Sequence, residues 1–123
     1  MKGLGIDLCE IARIERAIET NERFLMKYYT EAEREWISRR GKVGAQSAAA
    51  MFAAKEAFLK ACGTGIGRGA ELCEIEILHD DLGAPCYQLH GGAREQMESK
   101  GASIALLSLS HEAGVAAAVC VLE

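Results

Sequence analysis

The sequence predicts an α+β fold, a long apolar helix packed on an antiparallel sheet, in a single domain over residues 1–123. Three observations carry that prediction. From Ala45 to Cys62 almost every other position is Ala, Met, Phe or Leu, and a helix apolar nearly all round is a buried one. Short β-type segments near the start and in the second half, punctuated by turn residues, supply a sheet around it. The length suits one modest core, and no internal repeat or low-complexity segment divides the chain.

Met1 to Ile6 reads as a short strand with Leu4 and Ile6 on one face, and Asp7 follows at its end. Ile11, Ile14 and Ile18 then give helical periodicity over Leu8 to Thr20. Asp7 with Glu10 three residues on resembles a capping box, so a helix cap competes with a metal-ligand reading for Asp7. The opposite face of that helix carries Glu10, Arg13, Arg16 and Glu19. Thr30-Glu-Ala-Glu33 is a clearer capping box and opens a charged helix from Glu31 to Arg40, with Trp36 and Ile37 toward the core. Its terminal Arg39 and Arg40 complement the negative end of the helix dipole and need no functional explanation. After the long helix, Leu72 to Leu78 and Pro85 to Leu89 form a hairpin about the Asp80-Asp-Leu-Gly83 turn. A short polar helix follows from Gly91 or Gly92 to about Lys100. Ala102 to Ser108 and Val115 to Leu122 then make a second hairpin, joined through His111-Glu-Ala-Gly114. His111 is a turn residue on one reading and a phosphate ligand or base on the other. His79 and His90 read as surface residues.

The long helix carries Lys55, Glu56 and Lys60, and unpaired buried charge is costly. Glu56 and Lys60 are one turn apart on one face, with Lys55 about 100° round from Glu56. An internal Glu56–Lys60 ion pair would satisfy two of the three. Alternatively, Glu56 holds a metal while the lysines meet phosphate oxygens. The Gly63-Thr-Gly-Ile-Gly67 loop favours the second reading, because glycine both ends the helix and lets backbone amides approach an anion.

Composition narrows the function classes. Half the residues are hydrophobic and 26% charged, an ordinary globular balance. A net charge of -4 argues against a general nucleic-acid binder. Arginine is nonetheless concentrated early, at Arg13, Arg16, Arg23, Arg34, Arg39 and Arg40, which suits a local basic surface facing an acidic partner. The five cysteines are dispersed and lack a Cys-x-x-Cys, as reduced cytosolic thiols would be. No apolar run is long enough for a spanning helix and the N-terminus lacks a signal-peptide layout, so the expectation is a soluble cytoplasmic protein.

Four separated stretches together resemble the holo-[acyl-carrier-protein] synthases, the small bacterial class of 4′-phosphopantetheinyl transferases. They are Gly5-Ile-Asp7 continuing to Arg13-Ile14, Phe52-Ala-Ala-Lys-Glu-Ala57, Lys60-Ala-Cys-Gly-Thr-Gly-Ile-Gly67 and Ser108-Leu-Ser-His111. Asp81-Leu-Gly-Ala-Pro85 also looks like that family's hairpin. The resemblance implies transfer of 4′-phosphopantetheine from coenzyme A to a serine of apo-acyl carrier protein, releasing adenosine 3′,5′-bisphosphate with Mg²⁺ as cofactor. It assigns Asp7 and Glu56 to the metal, and Lys60 with Gly63, Thr64, Gly65, Ile66 and Gly67 to the pyrophosphate. It places His111 near the 3′-phosphate and gives Arg13, with Arg16 beside it on the same helix, to the acidic carrier. It also implies a homotrimer whose sites draw residues from two chains.

The chemistry of these residues agrees. Mg²⁺ takes hard oxygens, commonly one or two carboxylates completed by phosphate and water. A lysine and loop amides would stabilise the charge developing on the leaving group. Glu56 is the first candidate for the base that deprotonates the serine. One departure stands out: the family often has a basic residue where this chain has Met51. Nucleotide affinity is then weaker, or supplied by another arginine such as Arg68, unless Met51 is simply core. Two rival readings use the same residues: a Mg²⁺-dependent hydrolase of nucleotide or coenzyme A pyrophosphate, and a non-catalytic binding module.

Overall fold

The computed structural model describes residues 1–64 and 69–123. Its element order is β1 (Gly3–Glu10), α1 (Ile11–Thr20), α2 (Phe24–Tyr28), α3 (Glu31–Arg39), α4 (Gly44–Cys62), β2 (Ile75–His79), β3 (Pro85–Leu89), α5 (Gly91–Ser99), β4 (Ala105–Glu112) and β5 (Val115–Leu122). The strands form a three-stranded antiparallel sheet in the order β1-β5-β4 and a separate β2-β3 hairpin. Helix α4 lies across the inner face of the larger sheet, as expected for a helix whose Ala48, Ala49, Ala53, Ala54, Ala57 and Phe58 are all fully buried.

Small residues set how closely helix and sheet approach. A Cβ on Gly5 would collide with the carbonyl oxygen of Ala57, and one on Gly3 with that of Ala61. Glycine in a strand interior usually weakens it; here it admits the backbone of α4. The alternate positions of β1 face outward. Leu4, Ile6 and Leu8 are 59%, 59% and 66% exposed, and they line up with Val121, Val119 and Ala117 of β5. Leu106, 49% exposed, extends the row across β4, so the outer sheet face is broadly apolar.

Several boundaries differ from the sequence reading. Strand β1 runs through Glu10, because its pairing with β5 continues from Gly3↔Leu122 to Glu10↔Val115, and α1 begins only at Ile11. Asp7 therefore sits within a strand, and Glu10 precedes the helix without a side-chain cap, which removes the capping-box explanation for Asp7. The short helix α2 was not foreseen. Strand β4 begins three residues later than expected and reaches Glu112, since Ala113 and Gly114, with φ of 51° and 79°, make the whole turn. His111 consequently pairs with Ala116 in the strand rather than sitting in a turn. An Ala-Gly turn lacks the Asn or Asp that usually announces this geometry.

The capping box at Thr30 and Glu33 is formed as predicted, and Glu33 does more besides. Its Oε1 accepts from Lys55 Nζ at 2.9 Å and from the Thr30 amide, while Oε2 accepts from the Ile77 amide. The Lys55 ammonium also donates to the carbonyls of Leu72 and Ile75 at 2.9 and 2.8 Å. Both side chains are wholly buried. Lys55 is thus a saturated core group tying α3, α4 and the start of β2 together, and the expectation that it meets phosphate is corrected. His90 is a surface residue as expected, whereas His79 is half-buried. His79 stacks on Trp36, and His90 bonds Glu76.

Candidate active site

The close approach of β1 and α4 brings three remote residues together. Asp7 lies on the inner face of β1, and Lys60 projects from the last turn of α4. The Lys60 amine donates to Asp7 Oδ1 at 2.9 Å and to the Ile6 carbonyl at 3.1 Å. That partner is Asp7, so the alternative of an internal Glu56–Lys60 pair is not what forms. Glu56, one turn back on α4, is half-buried beside them. Burial and then the charge of Asp7 push its carboxyl above the ordinary value, with Lys60 and Arg13 opposing.

Asp7, Glu56 and Arg13 share a cavity of about 540 Å³ whose apolar wall includes Ile14, Phe24 and Phe52. Arg13 lies 5.8 Å over the Phe52 ring, and its Nη2 is 3.7 Å from Cys9 Sγ. It therefore points into the site, whereas Arg16 stands on the exposed side of α1. Burial, opposed by Arg13, leaves the Cys9 thiol above its usual pKa, which removes it as a thiolate nucleophile.

Two convergent carboxylates on a rigid strand and helix suit a hard divalent cation. Their mutual repulsion, visible in the raised pKa of Glu56, is what such a cation relieves. Among the described residues no cluster of three His, Cys, Asp or Glu side chains converges, so this is a two-carboxylate set that leaves coordination open to substrate and water.

The glycine loop begins as the sequence predicts. Gly63 adopts the left-handed conformation (φ 75°), and the amides of Gly63 and Thr64 close the helix on Lys60 and Leu59. The buried Thr64 Oγ1 has no hydrogen-bond partner among the described residues. A buried hydroxyl without a partner among the described residues is a candidate donor to an anion. Gly65, Ile66, Gly67 and Arg68, also assigned to phosphate, lie outside the described residues.

His111 is not brought to this group. It opens into a second cavity of about 430 Å³, with Gln46 Nε2 3.2 Å from its Nε2. Arg40 and Gln46 in that cavity escaped the sequence reading, Arg40 because the helix dipole already accounted for it. Met51 is 1% exposed, which settles it as core.

Among the described residues, no helix is long and apolar enough to cross a membrane. The model of the 4′-phosphopantetheinyl transferase superfamily matches residues 3–120. A holo-[acyl-carrier-protein] synthase of Ruminiclostridium cellulolyticum is 48% identical over 98% of this chain and 90% of its own length. One from Clostridium acetobutylicum is 44% identical over 100% and 98%. The crystal structure of the Neisseria meningitidis holo-[acyl-carrier-protein] synthase superposes with a TM-score of 0.88 at 34% identity, covering 100% of this chain and 98% of that one. The Helicobacter pylori holo-[acyl-carrier-protein] synthase in complex with coenzyme A gives 0.83 at 33% identity, covering 98% and 99%. With the Asp7–Glu56–Lys60 constellation held on the same fold along nearly the full length, the chain belongs to the 4′-phosphopantetheinyl transferase superfamily.

Proposed function

We propose that this enzyme transfers 4′-phosphopantetheine from coenzyme A to a serine hydroxyl of apo-acyl carrier protein, releasing adenosine 3′,5′-bisphosphate. The observation that carries the reading is the meeting of Asp7, Glu56 and Lys60, contributed by segments some fifty residues apart, beside a glycine-terminated helix. The serine oxygen attacks the phosphorus that bears the pantetheine arm, and the bond from that phosphorus to the bridging oxygen breaks. Glu56 takes the serine proton, directly or through a water. Lys60 donates to the leaving phosphate, and Thr64 Oγ1 offers a further hydrogen bond. Mg²⁺ held by Asp7 and Glu56 would supply the positive charge that a pyrophosphate leaving group calls for. Arg13 and Arg16 offer cationic contacts to an acidic carrier.

The reading extends to a homotrimer with sites between subunits. Two features support it: the apolar outer sheet face, and the separation of His111 from the carboxylates on one chain. The dispersed free thiols fit a cytoplasmic protein.

The test is intact mass spectrometry of apo-acyl carrier protein incubated with enzyme, coenzyme A and Mg²⁺, with an EDTA control. One phosphopantetheine is gained only with metal present, and Asp7→Asn loses that gain while remaining folded. Coenzyme A cleavage with an unmodified carrier would replace this reading with the hydrolase. No change in either substrate would leave a binding module.

A further inference from the structure

Helix α5 takes no part in the Asp7–Glu56–Lys60 group, yet the described residues on both sides of the glycine loop rest on it. Gly92 and Gln96 of α5 and Lys100 just past its end are four residues apart and share one face. On the far side of the loop, a Cβ on Gly92 would collide with the Gly69 carbonyl oxygen, and one on Gly69 would stand 2.8 Å from Gln96 Nε2. On the near side, a Cβ on Gly63 would stand 3.5 Å from Lys100 Nζ. Gly92 and Lys100 are separated by roughly 12 Å of helix axis, so a single rod meets the chain at Gly63 and again at Gly69.

The start of α5 is fixed by Glu74. Its Oε2 accepts from the Gly92 amide at 3.0 Å, its Oε1 from the Glu71 amide at 2.7 Å, and its carbonyl from the His90 amide at 2.9 Å. Glu74 thus ties the segment from Gly69 to Glu71 to the first turn of α5. Two consecutive glycines there lower helix propensity. Close approach accounts for both: Gly91 leaves room for the Glu74 carboxylate, and Gly92 for the Gly69 backbone. Stability alone does not call for this contact. The buried Ala93 and Met97 already anchor α5 to the core, whereas Gly92 meets Gly69 backbone to backbone, with no apolar side chain covered.

On the transferase reading, on which this inference rests, the glycine loop addresses the pyrophosphate. Backbone groups grip an anion well only when their positions are set beforehand. We propose that α5 is the seat that holds Gly69 in place relative to Gly63, with Gly92 as the positioning residue and Glu74 as its support. Gly92 acts through Gly69. Lys60 and Thr64 belong to the end of α4, and the chain beyond the loop is placed against them by α5. A shift of Gly69 therefore weakens the grip on coenzyme A. It leaves untouched the docking of the carrier, which the same reading gives to Arg13 and Arg16.

The decisive experiment measures steady-state transfer with coenzyme A and apo-acyl carrier protein varied separately, and coenzyme A affinity by calorimetry without carrier. It uses wild type, Gly92→Ala, Glu74→Gln and, as a control, Arg94→Ala, which lies roughly 200° round α5 from Gly92. Gly92→Ala raises the KM for coenzyme A on the order of 10-fold and weakens its binding in step, while the KM for the carrier and the unfolding midpoint hold. Glu74→Gln is isosteric and keeps one of the two carboxylate hydrogen bonds, so it gives a smaller change in the same direction. Arg94→Ala leaves both quantities unchanged. Where Gly92→Ala lowers the midpoint, Glu74→Gln alone decides. Equal rises in both KM values, no binding of coenzyme A to wild type, or an effect of Arg94→Ala as large as that of Gly92→Ala would each overturn the proposal. Weakened coenzyme A binding in the variants of a protein that transfers nothing would sink the transferase reading alone. Transfer with an unaltered KM for coenzyme A in both variants would sink this inference alone.

Discussion

Replacing Lys55 by methionine should destabilise the fold severely without acting on substrate affinity. The lysine ammonium is wholly buried and makes three hydrogen bonds, to Glu33 Oε1 and to the carbonyls of Leu72 and Ile75, each between 2.8 and 2.9 Å. Burial pulls its pKa below the usual value, with the neighbouring Glu33 charge opposing. Methionine fills much of the volume but leaves the Glu33 carboxylate buried without a counter-ion and two carbonyls without donors. Breaking a buried pair on one side costs about 3–5 kcal/mol. Set against a typical domain stability of roughly 5–15 kcal/mol, that is a third or more of the total. The thermal midpoint should drop by about 10 °C or more. Urea unfolding at one fixed protomer concentration measures the loss, since any assembly makes stability concentration-dependent. The double variant Glu33→Met/Lys55→Met should recover at least half of it, because no isolated charge then remains. If Lys55→Met lost less than about 1 kcal/mol and instead raised the KM for coenzyme A, the assignment of Lys55 to the core would be refuted.

Three other outcomes follow from the same geometry. Gly5→Ala forces a Cβ onto the Ala57 carbonyl and should cost about 1–3 kcal/mol in urea unfolding, with phosphopantetheine transfer falling further as Asp7 moves off α4. Glu56 titrates higher in the folded chain than in the unfolded one, so its contribution to stability is full in acid and is lost as pH rises through the folded value. Glu56→Gln should therefore abolish transfer yet raise the thermal midpoint at neutral pH, an advantage that disappears below about pH 4; a loss of stability at neutral pH would contradict the raised pKa. If the proposed trimer forms through this face, Ile6→Glu, which places a charge in the exposed row between Leu4 and Leu8, should convert it to protomers in sedimentation.

Much of this organisation was legible in the chain. The buried helix, its glycine C-cap and the Thr30–Glu33 capping box are local patterns, and local physics fixes them. The strand end at Glu10 was not legible, because pairing with β5, more than a hundred residues away, overrides the helical periodicity that begins at Leu8. The extension of β4 to Glu112 depends on two left-handed residues, Ala113 and Gly114, of which only the glycine gives any signal. At the site, Glu56 and Lys60 could be nominated from their residue types and spacing and Asp7 only through the family resemblance, but their partners could not be assigned. Lys55 and Lys60 look alike in sequence, as two lysines on an apolar helix. What separates them is Glu33, a capping residue whose second task becomes visible only once α3 packs on α4.

That separation gives a physical criterion for which buried charges belong to function. Lys55 breaks the apolar pattern of α4, and the fold answers it completely: one carboxylate, two carbonyls and no exposed surface. Glu56 breaks the same pattern one residue later and is left unresolved. It is half-buried, faces another carboxylate, and carries a pKa pushed the wrong way for a stabilising charge. Lys60, paired with Asp7, and Arg13 oppose that shift without cancelling it. Evolution under selection for stability alone would replace Glu56 by a neutral residue, as the Glu56→Gln prediction makes concrete. The glycines of β1 fit the same logic. A side chain at Gly5 would strengthen the strand in isolation, and its absence brings Asp7 against α4, where the two carboxylates repel each other. On the proposed function, the burial and like charge that raise the Glu56 pKa are offset by a cation bound together with a phosphate ester.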